Sequence, residues 1–476
     1  MKNEKGLEEA YAEYLDTINV HVLRNVAREL GVGKPTVGKK AIVIAQAVDV
    51  LMGRVQPVPP SKLGAPLKQG PLDPKYLRDL ATIRERFLGN YQPLDYANVL
   101  QARSKAGGQN SYDQSPYKGI LEIMPNGCGY LRVRNAQPTE GLDVFISSQN
   151  VRDWQLKEGD CVVGFGIQHN DNKNPSLIKV LSVNEETNYR YRPNFDSFFA
   201  YYPEEKIEFS AKNNLISLRY IDLFSPIGKG QRAIVVAPSA TGVSTLLKDI
   251  ALSVREKINA GENYHLLTLI LDERPEEITE FNHANRAEEF YYTTFSQNAQ
   301  EHLNLTKLVF ARAKRLAEAG KDVVLLLDSL TWLTYAANAC ATDGNMLVCG
   351  LKASAFNFPK ACLGEAANYK EGSISVIATL SINRQNATEE AVVNEFEKVC
   401  NCRISLDADL AKKRIYPAID VNDSHTRRDE TLLTKEEKIC ADTVRRQFSQ
   451  KGGEALFEQM KNTESNAAFI SKILKS

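Results

Sequence analysis

The sequence predicts a multidomain chain: a small helical module, then a small β-barrel, then a larger α/β domain on a mostly parallel sheet. Three observations predict this. Apolar residues near the N-terminus recur at helical spacing. After Lys118 they alternate by twos, in short runs separated by turn residues. From about residue 225, wholly apolar runs of strand length alternate with helical stretches, the pattern of a sheet covered on both faces.

The chain has 476 residues, of which 43% are hydrophobic. That is enough for about three domains, each with its own core. Lys and Arg number 59, and Asp and Glu also 59, for a formal net charge of zero. The balance does not point to nucleic acid, yet it leaves room for one basic face. The opening residues, MKNEKGLEEAYAEYL, lack the apolar stretch of a secretory signal. No apolar run reaches the roughly 18–20 residues that span a bilayer. A cytoplasmic protein with no membrane partner is expected. The eight cysteines include no Cys-x-x-Cys pair, and the six histidines show no ligand spacing. Reduced thiols are expected rather than a metal site.

Residues 1–54 form the predicted helical module. Leu23, Val26, Ala27 and Leu30 mark one helix, Gly31-Val32-Gly33-Lys34-Pro35 breaks it, and Ile42, Ile44, Ala45, Val48 and Leu51 mark a second. Lys34, Lys39 and Lys40 cluster where the second begins, either as a rim for phosphates or as an ordinary solvated face. The run VQPVPPSKLGAPLKQGPLDP opens a linker over residues 55–116, in which LRDLATIRERFLGNY reads as a short helix and KAGGQNSYDQSP as a flexible end. Residues 117–186 contain five strand candidates, GILEIM, GYLRV, DVFISS, CVVGFGI and LIKVLSV, with Asn126-Gly127 and Glu158-Gly159-Asp160 as turns. Five such strands suggest a barrel of the OB or cold-shock type. Barrels of this kind bind single strands through exposed aromatic and basic side chains. Tyr130, Arg132 and Phe145 stand on strands where they can do so; the plainer reading places both rings in the core. The connector, 187–224, begins with the aromatic segment YRYRPNFDSFFAYY, expected to bury against neighbouring domains. Residues 225–436 carry the strand candidates AIVVAP, LLTLILDE, VVLLLDS, SISVIATL and CRISLD, with helices such as LTKLVFARAKRLAEAG between them. The tail, 437–476, reads as helical and polar.

Within the α/β domain, Ala233–Val236 runs into APSATGVSTLLKDIA: strand, loop, helix. Such a loop aims backbone N–H groups at phosphates, and its pattern ends Gly-Lys-Ser/Thr. The matching residues are Gly242, Val243 and Ser244, followed by Thr245. Gly242 keeps the close backbone approach, Ser244 keeps a hydroxyl for Mg²⁺, and Val243 stands in the lysine's place. That lysine neutralises the outer phosphates and the charge that develops in transfer, and valine does neither. Losing one electrostatic group of this kind costs about 10²–10³-fold in rate. Lys248, about one turn further along the helix, should point away. Glu273 ends the strand LLTLILDE, where a carboxylate can position a water. Asp328 ends VVLLLDS, where it either holds Mg²⁺ or simply caps the next helix.

Four strings in this order, RYIDLFSPIGKGQRAIVVAP, LDERPEEITE, LLLDSLT and KKRIYPAID, follow the candidate barrel. Together they resemble the bacterial transcription termination factor Rho over residues 117–476, and more weakly over 23–52. The resemblance implies a RecA-type P-loop ATPase domain behind an OB-like barrel. It implies a ring, usually a homo-hexamer, that holds single-stranded RNA on the barrels and then in a central pore. It also implies ATP and Mg²⁺ sites between neighbouring subunits. Matched residue by residue, it makes Glu273 the catalytic glutamate and Asp328 the Walker B acid, with Ser244 as the other Mg²⁺ contact. Gly242, Val243, Ser244 and Thr245 form the phosphate loop. Tyr416 stacks on adenine, Arg414 belongs to the nucleotide interface, and Arg427 is the arginine finger offered to the next subunit. On the barrel it assigns Tyr130, Arg132 and Phe145 to the primary RNA site.

The departures from the family fall together. Ala240 and Val243 replace two lysines of the phosphate loop, and Trp332 and Tyr335 replace arginines after Asp328. Asn345 and Ala387 replace lysines of two pore loops, and Cys128 and Asn174 replace aromatics on the barrel. Positive charge is missing at the phosphates and in the pore alike. Three functions fit: an ATP-driven RNA translocase, an RNA-binding relative with impaired hydrolysis, or a non-hydrolysing partner. The partner would join a ring with an authentic Rho and lend it Arg427, or compete for RNA or RNA polymerase.

Overall fold

The computed structural model describes residues 11–12, 14–32, 39–52, 55, 58, 76, 80, 114–168, 174–210, 215–285, 287–342, 345–383 and 385–475. Lys34, most of the linker and most of its candidate helix LRDLATIRERFLGNY lie outside them.

In the helical module, α1 (Val20–Glu29) starts at Asn19, whose side chain accepts the His21 N–H at 3.0 Å. Leu23, Val26 and Ala27 bury as their spacing predicts. In α2 (Lys40–Leu51) the inner face is Val43, Ala47 and Val48, while Ile42 and Ala45 face solvent. Apolar residues ring this helix, so periodicity could not choose its inner face. Lys40 pairs with Asp16 at 3.1 Å, which favours the solvated-face reading of the lysine cluster.

The five predicted barrel strands form: β1 (Gln114–Ile123), β2 (Gly129–Arg132), β3 (Val144–Ile146), β4 (Cys161–Ile167) and β5 (Ser176–Val183), closed in the order β1-β2-β3-β5-β4. Gly127 makes the first turn at φ +80°. A short helix, α3 (Ser148–Asp153), capped by Ser147, enters between β3 and β4. Alternation alone did not signal it.

In the α/β domain α4 (Ile216–Phe224) precedes β6 (Arg232–Ala237) and α5 (Val243–Asn259). There follow β7 (Tyr264–Glu273), α6 (Pro275–Asn285), β8 (Glu289–Thr294), α7 (Ala299–Glu318), β9 (Asp322–Asp328), α8 (Leu330–Cys340) and α9 (Asn357–Gly364). β10 (Ser373–Ser381), α10 (Ala387–Glu397), β11 (Cys402–Leu406), α11 (Ala408–Lys412), β12 (Ile419–Thr426), α12 (Lys435–Lys461) and α13 (Asn466–Lys475) complete it. The sheet order is β12-β11-β6-β10-β9-β7-β8, parallel throughout except between β11 and β12. The five apolar strand candidates are its central strands. The two edge strands, β8 and β12, went unread because they alternate buried and open residues. The sheet buries both faces. Ala233 and Val235 enter one core with α5, and Ile234 and Val236 enter the other with α7.

Two expectations are corrected. The aromatic segment buries only in part: Phe195 is buried against Tyr369, but Phe199, Tyr201 and Tyr202 are exposed. The tail is not merely polar, because Leu456, Met460, Phe469 and Ile473 join the main core. Likewise α4, read as connector, is buried along most of its length.

The barrel is fixed to the α/β domain by polar contacts. The Asn135 side chain donates to the Tyr292 carbonyl at 2.9 Å and accepts the Tyr292 N–H at 3.1 Å. Arg312, on α7, donates to Glu289 at 2.8 Å and to Asn184 at 2.6 Å. The guanidinium holds the buried Glu289 carboxyl far below the usual carboxylate range despite desolvation. At the turn residue Gly159, φ +83°, a Cβ would lie 2.3 Å from the Ala311 carbonyl carbon, so only glycine permits this approach.

Candidate nucleotide cleft and RNA platform

The loop between β6 and α5 keeps the shape of a phosphate cradle. The buried Thr241 hydroxyl donates to the Pro238 carbonyl at 2.7 Å and closes the loop. Gly242, at φ +88°, takes the left-handed conformation at the cap position of α5. No side chain caps this helix, so its first-turn N–H groups remain open to a ligand. They face a cleft of about 840 Å³. Val243, Ser244 and Thr245 line one part of it, and Tyr416, Pro417, Leu406, Leu215 and Ile216 line another. The Tyr416 ring adjoins the loop directly: a Cβ on Gly242 would lie 3.5 Å from its Cδ1 and Cε1 atoms. Residues more than 170 apart in sequence are thus brought into one cleft, with the Tyr416 ring beside the loop.

No lysine or arginine is among the described residues lining this cleft. Val243 occupies the lysine's position, and Lys248 turns to Glu280 at 2.5 Å on α6. The cleft does contain an acid. Asp249 accepts the Ser217 hydroxyl at 2.5 Å, and burial raises its carboxyl above the usual range. Sequence reading missed this pair. Asp249 shares a helix face with Thr245, four residues earlier, which was the available signal; Ser217 gave none.

The acids sit at the same strand-end edge of the sheet as the loop. Ser329, not Asp328, caps α8, its hydroxyl accepting the Trp332 N–H at 3.2 Å. The cap reading of Asp328 is therefore set aside. Its carboxylate instead accepts the Thr379 hydroxyl at 2.6 Å from β10. Burial raises the Asp328 carboxyl; the Thr379 bond lowers it, and nearby Glu273 raises it further. Two like charges in such a place suit a divalent cation. Among the described residues no group of three or more His, Cys, Asp or Glu can hold a metal alone. Asp328, at the end of β9, and Ser244, in the first turn of α5, are the residues that would hold Mg²⁺ arriving with phosphate. The Glu273 carboxylate accepts the N–H of its neighbour Arg274 at 2.9 Å. Behind it, His302 Nδ1 lies 2.7 Å from the Thr293 hydroxyl, which accepts the Asp272 N–H at 3.1 Å.

Arg427 is not brought to this cleft. It is exposed after β12, and its N–H donates at 2.8 Å to Asn401, at the start of β11. The phosphate loop follows the opposite end of the adjacent strand β6. That separation is roughly 15–20 Å along the sheet, so Arg427 cannot serve its own chain's phosphates. Arg414, at φ +61°, is exposed on the turn into Tyr416 and does not line the cleft. Trp332 packs edge-on to Tyr335 at 5.5 Å. The loop after Asn345 presents Met346, Leu347 and Val348 to solvent, and Lys352 donates inward to the Ala341 carbonyl at 2.5 Å.

On the barrel, Tyr130 and Phe145 face each other across β2 and β3, edge to face at 5.6 Å. Both rings are half-buried, so neither is simple core. Arg132 lies two residues on and on the same face, 5.1 Å from the Tyr130 ring. It is only 8% exposed, donating to Glu122 at 2.6 Å and to Asp143 at 2.6 Å. Its charge is matched twice within the barrel. Arg132 is thus enclosed beside the Tyr130 ring and holds β1, β2 and the Asp143 segment together, while the half-buried rings of Tyr130 and Phe145 keep the more open surface. Glu122 was legible as the cross-strand partner of Tyr130.

The chain therefore combines an aromatic-faced barrel with an α/β domain in which the β6–α5 loop and Tyr416 line one cleft. The model of the Rho termination factor RNA-binding domain matches residues 117–188. The model of the ATP synthase alpha/beta family nucleotide-binding domain matches residues 217–426. Transcription termination factor Rho of Borreliella burgdorferi is 35% identical over 364 residues, covering 74% of this chain and 70% of that protein. The Cereibacter sphaeroides factor is 35% identical over 368 residues, covering 75% and 86%. The Micrococcus luteus factor is 36% identical over 382 residues; this chain spans 54% of its length. The chain belongs to the transcription termination factor Rho family. No helix among the described residues is long and apolar enough to cross a membrane.

Proposed function

We propose that this Rho-family chain holds single-stranded RNA on its barrel and an adenine nucleotide with Mg²⁺ in its cleft, with hydrolysis impaired by the missing lysine. The cleft's lining supports this most directly. It joins the Tyr416 platform to the open helix start at Gly242 without a lysine or arginine among its described residues. Charge developing on the outer phosphates then lacks its usual cation, and turnover should fall by about 10²–10³-fold. In this reading Glu273, Asp328 and Ser244 keep their family roles. Arg427, on the far edge of the sheet, serves the cleft of a neighbouring subunit in a ring, a hexamer by the family resemblance. The test is RNA-stimulated ATPase activity of the purified protein beside Glu273→Ala. We expect both at the same low level; turnover present in the wild type and lost in the variant refutes the impairment.

The position of Arg427 also favours a second reading, in which the chain joins rings of an intact Rho and lends Arg427 to its neighbour. Adding the protein to such a Rho should then change its ATPase rate, and Arg427→Ala should abolish the change.

A further inference from the structure

We propose that the cleft selects adenine nucleotides of low charge, a monophosphate in preference to a triphosphate, and that Val243 sets this selection. The proposal rests on the reading of the cleft as an adenine-nucleotide site and names which nucleotide that site takes.

The base end is apolar and flat-sided. Leu215, Ile216, Leu406 and Pro417 surround the Tyr416 ring, which suits a neutral aromatic base. Next to the ring lies the start of α5, with Gly242 opening the backbone and no side chain competing for the first-turn N–H groups. These donors, with about half a positive charge from the helix, suit phosphate oxygens but supply no full positive charge for each further phosphate. Beyond those donors, no lysine or arginine is among the described residues that line the cleft. Val243 presents methyl groups, Lys248 is held by Glu280, and Arg427 lies at the other end of the strands. The charged side chain among the described lining residues, Asp249, is acidic. Glu273 and Asp328 end β7 and β9 at the same edge of the sheet as the phosphate loop. Each added phosphate therefore brings negative charge into a cleft whose described lining holds a carboxylate and no lysine or arginine, where such repulsion is poorly screened. Mg²⁺ carried by the ligand offsets this only in part, since the lysine and the ion normally act together.

The experiment is a calorimetric binding series on the full-length protein with AMP, ADP and ATP, each with and without Mg²⁺. We expect AMP to bind at least as tightly as ATP with Mg²⁺, and ATP without Mg²⁺ to bind about tenfold or more weakly. In Val243→Lys, checked for an unchanged melting profile and RNA affinity, ATP should tighten by about tenfold while AMP moves by less than about twofold. A wild-type preference for ATP of about tenfold or more overturns the proposal. If that preference also vanishes in Arg427→Ala, the missing cation comes from a neighbouring chain. Equal tightening of AMP and ATP in Val243→Lys overturns it too, since the side chain would then not discriminate by phosphate number. Failure of all three nucleotides to bind, with RNA binding intact, overturns the nucleotide reading itself and so is distinct from the other outcomes. The wild-type series decides the matter even where the lysine variant does not fold.

Discussion

The barrel platform and the phosphate loop treat positive charge in opposite ways. In the barrel, Arg132 is enclosed by Glu122 and Asp143 and serves to hold the strands that carry Tyr130 and Phe145. In the phosphate loop the cation is gone, and the loop keeps its shape without it. That shape comes from backbone: the Thr241–Pro238 hydrogen bond, the left-handed Gly242 and the uncapped start of α5. A cation that is part of the fold cannot be lost without losing the fold. A cation that contacts only a ligand can be lost while the architecture persists. The comparison explains how a phosphate loop without its lysine keeps the architecture of the domain around it.

Four changes test that contrast, in order of expected size. Arg132→Ala leaves the buried Asp143 and the half-buried Glu122 without their partner and should destabilise the barrel by about 3–5 kcal/mol, read by chemical denaturation. A loss within about 0.5 kcal/mol would mean that Arg132 is not structural. Val243→Lys restores the ligand-facing cation and should raise RNA-stimulated ATP turnover by up to about 10²-fold at little cost in stability. No rise would shift the blame to Trp332, Tyr335 or the pore loops. Tyr130→Ala removes one stacking face and should weaken a pyrimidine-rich single strand by about 1–2 kcal/mol, with the fold retained. Unchanged affinity would remove RNA from this face of the barrel. Lys40→Ala breaks an exposed pair with Asp16, and both stability and RNA affinity should stay within about 0.5 kcal/mol. A clear fall in RNA affinity would return the lysine cluster to the phosphate-binding reading.

Much of the fold was legible because its pattern is local. Five barrel strands and the five central strands of the sheet showed themselves by alternation or by continuous apolar runs. The edge strands β8 and β12 did not, because an edge mixes buried and open positions. The inner face of α2 did not, because every face of it is apolar. The loop Gly242-Val243-Ser244 was readable as a phosphate-loop candidate with valine in the lysine's place, since its residues are contiguous. The roles of Ser329 and Thr379 around Asp328 were not, for they depend on which strand lies beside β9.

The sequence by itself determined the order of the modules, the turn glycines, the strand ends that carry Glu273 and Asp328, and the absence of a lysine at position 243. These follow from side-chain periodicity and from backbone conformations that a few neighbouring residues dictate. Only the tertiary structure decided that Arg132 is enclosed, that Tyr416 and Asp249 share the cleft with the phosphate loop, and that Arg427 lies beyond its own chain's reach. Those outcomes depend on strand order and on pairings across tens to hundreds of residues. A charge declares its type in the sequence, but its partner is set by the folded neighbours that desolvate it.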